Sequence, residues 1–233
     1  MASDEVRGAY DALAPIYDQA YSDAVSLAED HALGLALRVA VDAFHIPVVV
    51  DFGCGTGHAL TIIKRFGGLP HRYTGIDLSR EMIVRMLLKH PEARSVSGPA
   101  GLRVLPSESA NVVVSTFGML SYVSTPRTVI GNMAAVLIPG GRFVIQAYGR
   151  RYHDGKSLCS SLPCRLYSVA ELEGICSSAG LEVSRAWSTG AILRRLPSSL
   201  PAAALRAAAV AERVAGRALA DHGRFLTVEG RRV

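Results

Sequence analysis

Val48-Val49-Val50-Asp51-Phe52-Gly53-Cys54-Gly55-Thr56-Gly57 is the stretch on which the reading of this 233-residue chain turns. The β-branched run after Pro47 has no polar alternation, so it predicts a strand buried on both faces, as in a parallel sheet. It passes into a loop with glycine at every second position, and the amphipathic segment His58 to Phe66 then reads as a helix. Glycines let a backbone approach a ligand closely, and free N–H groups at a helix start can face the same point. Strand, loop and helix together make a nucleotide-type cofactor site. The spacing narrows the choice, because a dinucleotide fingerprint is Gly-x-Gly-x-x-Gly with a pyrophosphate on the helix N-terminus. Here the glycines stand at 53, 55 and 57, His58 takes the place of the third glycine, and Asp51 would repel a pyrophosphate. A glycine-rich turn without a ligand and a dinucleotide site with a variant loop stay open on these residues alone.

The stretch resembles the first motif of the class I S-adenosylmethionine-dependent methyltransferases, Asp/Glu-x-Gly-x-Gly-x-Gly, at every defined position. The resemblance implies that Asp51 orders the cofactor's ammonium end, directly or through water. It also implies that Gly53, Cys54, Gly55 and Gly57 pass beneath the methionine moiety and ribose. Working outward, Arg72 to Asp77 predicts a second strand ending in an acid twenty residues past Gly57. That is the distance at which a carboxylate on the second strand reaches a ribose hydroxyl pair. The continuation Leu78-Ser79-Arg80-Glu81-Met82 matches the family's Asp-x-Ser-x-x-Met pattern, in which Leu78 and Met82 would sandwich the adenine. A helix start capped by Asp77 or Ser79 is compatible with that role. Where the family often has Gly-Asp-Ala, this chain has Gly98-Pro99-Ala100-Gly101. Proline offers no side-chain acceptor, so adenine recognition falls to backbone groups near Ala100 to Leu102, Gly101 among them, and to apolar packing.

A fourth strand, Asn111 to Thr116, runs into Phe117-Gly118-Met119-Leu120-Ser121-Tyr122. In the family this turn passes the transferable methyl group, which gives Phe117 an aromatic face near the sulfonium, a favourable arrangement for a cation. The (Asp/Asn)-Pro-Pro-(Tyr/Phe) signature of enzymes that methylate amines of DNA bases is absent here. Upstream, Tyr10-Asp11 and Tyr17-Asp18 flank Ala14-Pro15-Ile16 and resemble the leader that closes over cofactor and substrate, with Tyr17 approaching the methionine end. A helix that merely packs two tyrosines on the core is the alternative. Ser22 to Phe44 has helical spacing, and His31 within it reads as structural. Downstream, Thr125-Pro126 opens a helix, Leu137 to Gly141 is a turn before a fifth strand from Gly141 to Tyr148, and Ser168-x-x-Glu171 is a capping box. Leu181 to Trp187, an alanine-rich helix over Leu200 to Ala220, and a last strand Phe225 to Glu229 follow.

The predicted fold class is therefore α/β: a doubly wound, Rossmann-like, seven-stranded, mostly parallel sheet with a C-terminal antiparallel hairpin. Residues 1–233 read as a single methyltransferase domain, with a lid and helical segment at 1–44, a cofactor-binding core at 45–148 and a substrate-side part at 149–233. No apolar run reaches the ~20 residues of a membrane span, and the first residues lack the regions of a signal peptide. The four cysteines read as reduced thiols of a cytoplasmic protein, although Cys159 and Cys164 can be drawn as a metal or redox pair. The net charge of +5 rests on three lysines and twenty-two arginines, in scattered pairs without aromatic interleaving. That gives no clear nucleic-acid face. The expected cofactor is S-adenosyl-L-methionine, with S-adenosyl-L-homocysteine as product, and the expected acceptor is an O or N atom of a small molecule in specialised metabolism. An RNA or protein acceptor, or a non-catalytic S-adenosylmethionine-binding protein, are the alternatives. A hydroxyl acceptor wants a general base, for which Tyr122, Tyr148 and His153 are the candidates, with Tyr10 or Tyr17 from the lid. His58 reads as flanking the methionine moiety.

Overall fold

The computed structural model describes residues 3–98, 105–150 and 162–233. Seven strands form one sheet in the order β3-β2-β1-β4-β5-β7-β6. They are β1 (Val48–Phe52), β2 (Arg72–Asp77), β3 (Arg94–Ser97), β4 (Ala110–Ser115), β5 (Leu137–Tyr148), β6 (Leu181–Thr189) and β7 (Phe225–Arg232). The first five are parallel to one another, and β7 runs antiparallel to both β5 and β6. The helices are α1 (Ser3–Leu13), α2 (Ala24–Asp42), α3 (His58–Arg65), α4 (Arg80–Lys89), α5 (Pro126–Val136), α6 (Val169–Ser178), α7 (Ala202–Ala215) and the single turn α8 (Arg217–Ala220).

The central strands split their apolar side chains between two cores. Val50, Val113, Phe143 and Ile145 point to the face covered by α5 and α6, where Met133 and Leu172 lie. Val49, Val112, Val114 and Val144 point to the other face, against Leu33, Leu37, Ile62 and Leu205 from α2, α3 and α7. Period-2 alternation feeding two apolar layers is why Val48–Val50 and Val112–Val114 are unbroken valine runs. Each such aliphatic side chain taken fully out of water contributes about 1.5–3 kcal/mol.

Local signals set the ends of the elements. Asp23 caps α2 by accepting from the Val25 and Ser26 N–H groups at 2.9 and 3.0 Å. Gly34 lets α2 lie directly on the Phe66 ring, which also meets the His31 ring at a tilt, 5.1 Å between centroids. Past α3, Gly67 turns left-handed at φ +80°, and its neighbour Gly68 donates back to the Ile63 carbonyl at 2.9 Å. The Ser168–Glu171 capping box forms as expected. Pro15 separates α1 from a short 3-10 turn at Tyr17–Tyr21.

β6 runs on to Thr189, two residues past the sequence reading, and three other elements differ more. β5 begins at Leu137, because Pro139-Gly140-Gly141 form a bulge inside the strand, between the pairs Ala110 with Leu137 and Val112 with Arg142. The Leu200 to Ala220 helix starts at Ala202 and breaks at Gly216, which sits at φ +55° and ψ −129°. β7 continues to Arg232, since Arg231 and Arg232 still pair with Glu182 and Leu181.

Candidate active site

The strand order turns between β1 and β4, and in doubly wound sheets ligands bind outside the carboxyl ends of the strands at that point. The loop after β1 lies there, pinned by the Gly53 and Cys54 N–H groups, which donate to the Ile76 carbonyl at 2.7 and 3.0 Å. Its glycines do different work. Gly53 (φ +77°) packs against the Met119 side chain, with no room for a Cβ. Gly57 (φ +79°) packs on α4, where a Cβ would stand 2.7 Å from Met86. Gly55 (φ +52°) faces open space bounded by Tyr17 at 3.8 Å, so it alone of the three gives up its side chain to a cavity.

That cavity has a volume of about 240 Å³. Its floor is Gly53, Gly55, Ile76, Asp77 and Leu78, one wall runs from Thr116 through Tyr122 to Thr125, and Val6, Arg7, Tyr10 and Tyr17 cover it. Asp77 is the one carboxylate among its described lining residues. One carboxylate oxygen accepts from the Gly55 N–H at 2.8 Å and the other from the Ser79 N–H at 2.9 Å. Burial raises its pKa against those two amide bonds. Each oxygen keeps a lone pair, which is what a vicinal diol requires.

The N-terminal strap is latched by its aspartates. Asp11 accepts from the Ser79 hydroxyl, which itself caps α4 at the Met82 N–H. Asp18 accepts from the Thr56 hydroxyl and pairs with Lys89 at 2.7 Å. Both residues of each Tyr-Asp pair therefore act, the acids gripping the two cofactor loops while the tyrosines turn inward.

Tyr17 and Tyr21 enter an aromatic cluster centred on Phe117. The Phe117 ring lies 4.9 Å from His58, 5.3 Å from Tyr21 and 6.2 Å from Phe225. Its backbone is held at φ +57°, a region bulky side chains rarely adopt. The Gln146 carbonyl oxygen, accepting from the Phe117 N–H at 3.0 Å, holds it there. Behind it Tyr148 stacks on Phe225 at 5.4 Å, meets the Tyr122 ring edge-on at 6.1 Å and lies under the Arg224 guanidinium, which stands 5.9 Å from the Tyr148 ring centroid. Burial, the largest effect, raises the Tyr148 pKa, so at neutral pH it is a hydrogen-bond donor rather than a base. The same holds for Tyr17, fully buried with its pKa pushed well up.

Of the residues singled out in the sequence, Tyr17, Gly53, Gly55, Asp77, Leu78, Phe117 and Tyr122 line the cavity. Cys54, Gly57, Met82 and Tyr148 back the wall without lining it, as does His58, whose Nε2 pairs with Asp30 at 2.9 Å. Asp51 lies beneath the loop, fully buried, bonded through one oxygen to the Tyr73 hydroxyl. Its other oxygen has no partner, and burial pushes its pKa up to about 7. Ala100, Gly101 and His153 lie outside the described residues, as do Pro99 and Cys159. Among the described residues no group of three or more His, Cys, Asp or Glu is placed to hold a metal ion. Tyr73, Gln146 and Arg224 were not singled out. Each acts across 22 or more residues, and no local pattern marks them.

Comparison with known proteins agrees with this geometry. Residues 50–145 match the family model described as a methyltransferase domain. A 100-residue stretch is 35% identical to trans-aconitate 2-methyltransferase of Delftia acidovorans, covering 42% of this chain and 37% of that protein. The chain spans well under half the length of the curated relatives it matches. Among solved structures, a chain from the complex containing the Trm112 methyltransferase activator of Haloferax volcanii superposes with a TM-score of 0.69 at 22% identity, over 97% of each chain. The S-adenosylmethionine-dependent methyltransferase of Mesorhizobium loti gives 0.60 at 20% identity, over 85% of this chain and 96% of that one. The chain therefore shares the fold of the class I S-adenosylmethionine-dependent methyltransferases, and its residues 50–145 match a methyltransferase domain. The residues present fit that cofactor: Asp77 keeps acceptors for a diol, Gly55 leaves an open face, and the aromatic rings around Phe117 suit a sulfonium.

Proposed function

We propose that this chain transfers a methyl group from S-adenosyl-L-methionine to an oxygen or nitrogen atom of a small-molecule acceptor in specialised metabolism. The observation that carries the reading is the covered cavity in which Gly55 and Asp77 meet Tyr17, Phe117 and Tyr122. When bound, the cofactor supplies an electrophilic methyl carbon, and the protein's part is alignment and exclusion of water. Asp77 would hold the ribose, Leu78 would pack on the adenine, and the Gly53 to Gly57 loop would carry the methionine end, with Asp51 in support beneath it. The strap of Val6, Tyr10 and Tyr17 would shut out water.

A covered cavity of this size suits a small acceptor, and the relative named for trans-aconitate supports that class. The second reading, an RNA or protein acceptor, draws on the likeness to a chain that assembles with a methyltransferase activator. The latched strap over the cavity stands against it. Free thiols at Cys54, Cys164 and Cys176, and the absence of a described helix long and apolar enough to cross a membrane, support a cytoplasmic setting.

Calorimetric titration with S-adenosylhomocysteine, with NAD as control, tests the reading. Micromolar binding of S-adenosylhomocysteine and none of NAD is expected, and binding of NAD alone would overturn it.

A further inference from the structure

Resting on the methyl-transfer reading, we infer that Asp11 of the strap reads the base of the cofactor, its free carboxylate oxygen accepting from the exocyclic amino group of adenine. Asp77 would hold the ribose, so the base has to lie within one sugar's reach of it, and a second hollow opens there. The hollow has a volume of about 450 Å³, within the range of small-molecule sites, and is lined by Arg7, Asp11, Leu78, Arg80, Ser97 and Gly98. Arg7, Leu78 and Gly98 line the main cavity as well, so the two spaces meet along that edge. Gly98 is also tied to Asp77 itself, its N–H donating to the Asp77 backbone carbonyl at 2.8 Å.

The chemistry of the hollow matches an adenine edge, which presents an amino donor beside ring-nitrogen acceptors. Asp11 is half-buried. Its Oδ1 accepts from the Ser79 hydroxyl and stands 3.5 Å from the Glu81 backbone nitrogen. Among the described residues nothing bonds its Oδ2, and an ionised carboxylate oxygen is an acceptor only. Asp11 is also the one carboxylate among the described residues that line the hollow. The chain supplies no other near the end of β3, since Arg94 to Ser107 contains neither aspartate nor glutamate and Pro99 has no side-chain acceptor. Burial is the main cause of the raised Asp77 pKa and the charge of Asp11 adds to it, so the two carboxylates lie near enough to serve one nucleoside. Arg7 and Arg80 bring donors to the same space, as the ring nitrogens of a purine require. One side chain then has two tasks. Oδ1 latches the strap to the start of α4 and Oδ2 selects the base, which makes closure of the strap and recognition of adenine a single event.

The test is calorimetry with two ligands, S-adenosylhomocysteine and its analogue in which hydrogen replaces the exocyclic amino group of the purine. The parent should bind S-adenosylhomocysteine about tenfold or more tightly than the analogue, the gain expected for a hydrogen bond to a charged group. Asp11→Ala should weaken S-adenosylhomocysteine by a similar factor and bring the two ligands within about twofold of each other. Asp11→Asn, which keeps an acceptor oxygen, should retain part of the preference. A residue that only latches the strap would weaken both ligands alike, so the ratio isolates the reading of the base. Thr56→Val frees the strap at its other latch and supplies that comparison. In it both affinities should fall while the preference stays within about twofold of the parent's. Equal binding of the two ligands by the parent, or a preference left intact in Asp11→Ala, would each overturn the inference. If Asp11→Ala fails to fold, Asp11→Asn decides, and a full preference there overturns it. Failure of S-adenosylhomocysteine to bind the parent is a separate signal and overturns the methyl-transfer reading beneath it.

Discussion

Replacing Asp51 by asparagine should flatten the pH dependence of stability, by an amount that follows from the burial of this one carboxyl. Its pKa in the folded protein is raised to about 7, first by desolvation and further by the charge of Asp77, against the lowering effect of the Tyr73 hydroxyl. In the unfolded chain it returns to roughly 3.9. Between those values the folded state binds the extra proton, so stability falls as pH rises, the reverse of the behaviour of a salt-bridged aspartate. At 1.36 kcal/mol per pH unit the penalty is about 1.5 kcal/mol at pH 5 and about 4 kcal/mol at pH 8. The wild type should therefore lose about 2–3 kcal/mol relative to Asp51→Asn over that interval. Asparagine keeps an oxygen for Tyr73, and the cost of its unpaired amide does not depend on pH, so the slope isolates the ionisation. Urea unfolding at pH 5, 6, 7 and 8 on both proteins measures it. Parallel stability profiles would refute the reasoning. The same variant should bind S-adenosylhomocysteine more weakly, since Asp51 ends β1 just before the glycine loop and one of its oxygens has no partner in the protein.

Asp77→Asn sets an amide N–H against the Gly55 or Ser79 N–H and should cost about 2 kcal/mol, some thirtyfold, in S-adenosylhomocysteine affinity by calorimetry. Gly53→Ala must push a Cβ into Met119 from a left-handed backbone and should lower the unfolding free energy by about 1–3 kcal/mol. Gly55→Ala has room at Tyr17, so thermal melting should show a loss near 1 kcal/mol while ligand binding suffers more. In Asp18, hydrogen bonds from Lys89 and Thr56 outweigh burial and lower the pKa. Its contribution is thus present above the unfolded pKa and lost as pH falls through the folded one. Asp18→Asn should cost under about 1 kcal/mol globally yet speed amide exchange across residues 10–21, and unchanged exchange there would contradict the latch.

The cofactor half of the molecule was legible because its signals are local. The valine run, the alternating glycines, and Asp77 followed by a capping serine each declare a backbone conformation within a few residues, and the structure has β1, the loop, β2 and α4 at those places. The bulge at Pro139 to Gly141 was missed because a turn and a bulge share the same residues, and only pairing with β4 distinguishes them. The break at Gly216 was missed because a lone glycine in an alanine-rich run is tolerated in a helix. The Tyr-Asp pairs showed as a leader, but their aspartates found partners 38 and 68 residues away. Gln146 and Arg224 are ordinary residues in sequence, and they acquire their roles only when β7 is laid beside β5.

That last pairing has a consequence for the order in which the molecule assembles. β6 pairs with β7 and with no other described strand, so it cannot join the sheet until the later-synthesised β7 has slotted in against β5. The five parallel strands can close the cofactor loops before this happens. Phe225 and Arg224, by contrast, reach Tyr148 only with the final insertion. A folding intermediate would then hold a formed glycine loop beside an unfinished aromatic floor, and discrimination among acceptors would be the last property the chain acquires.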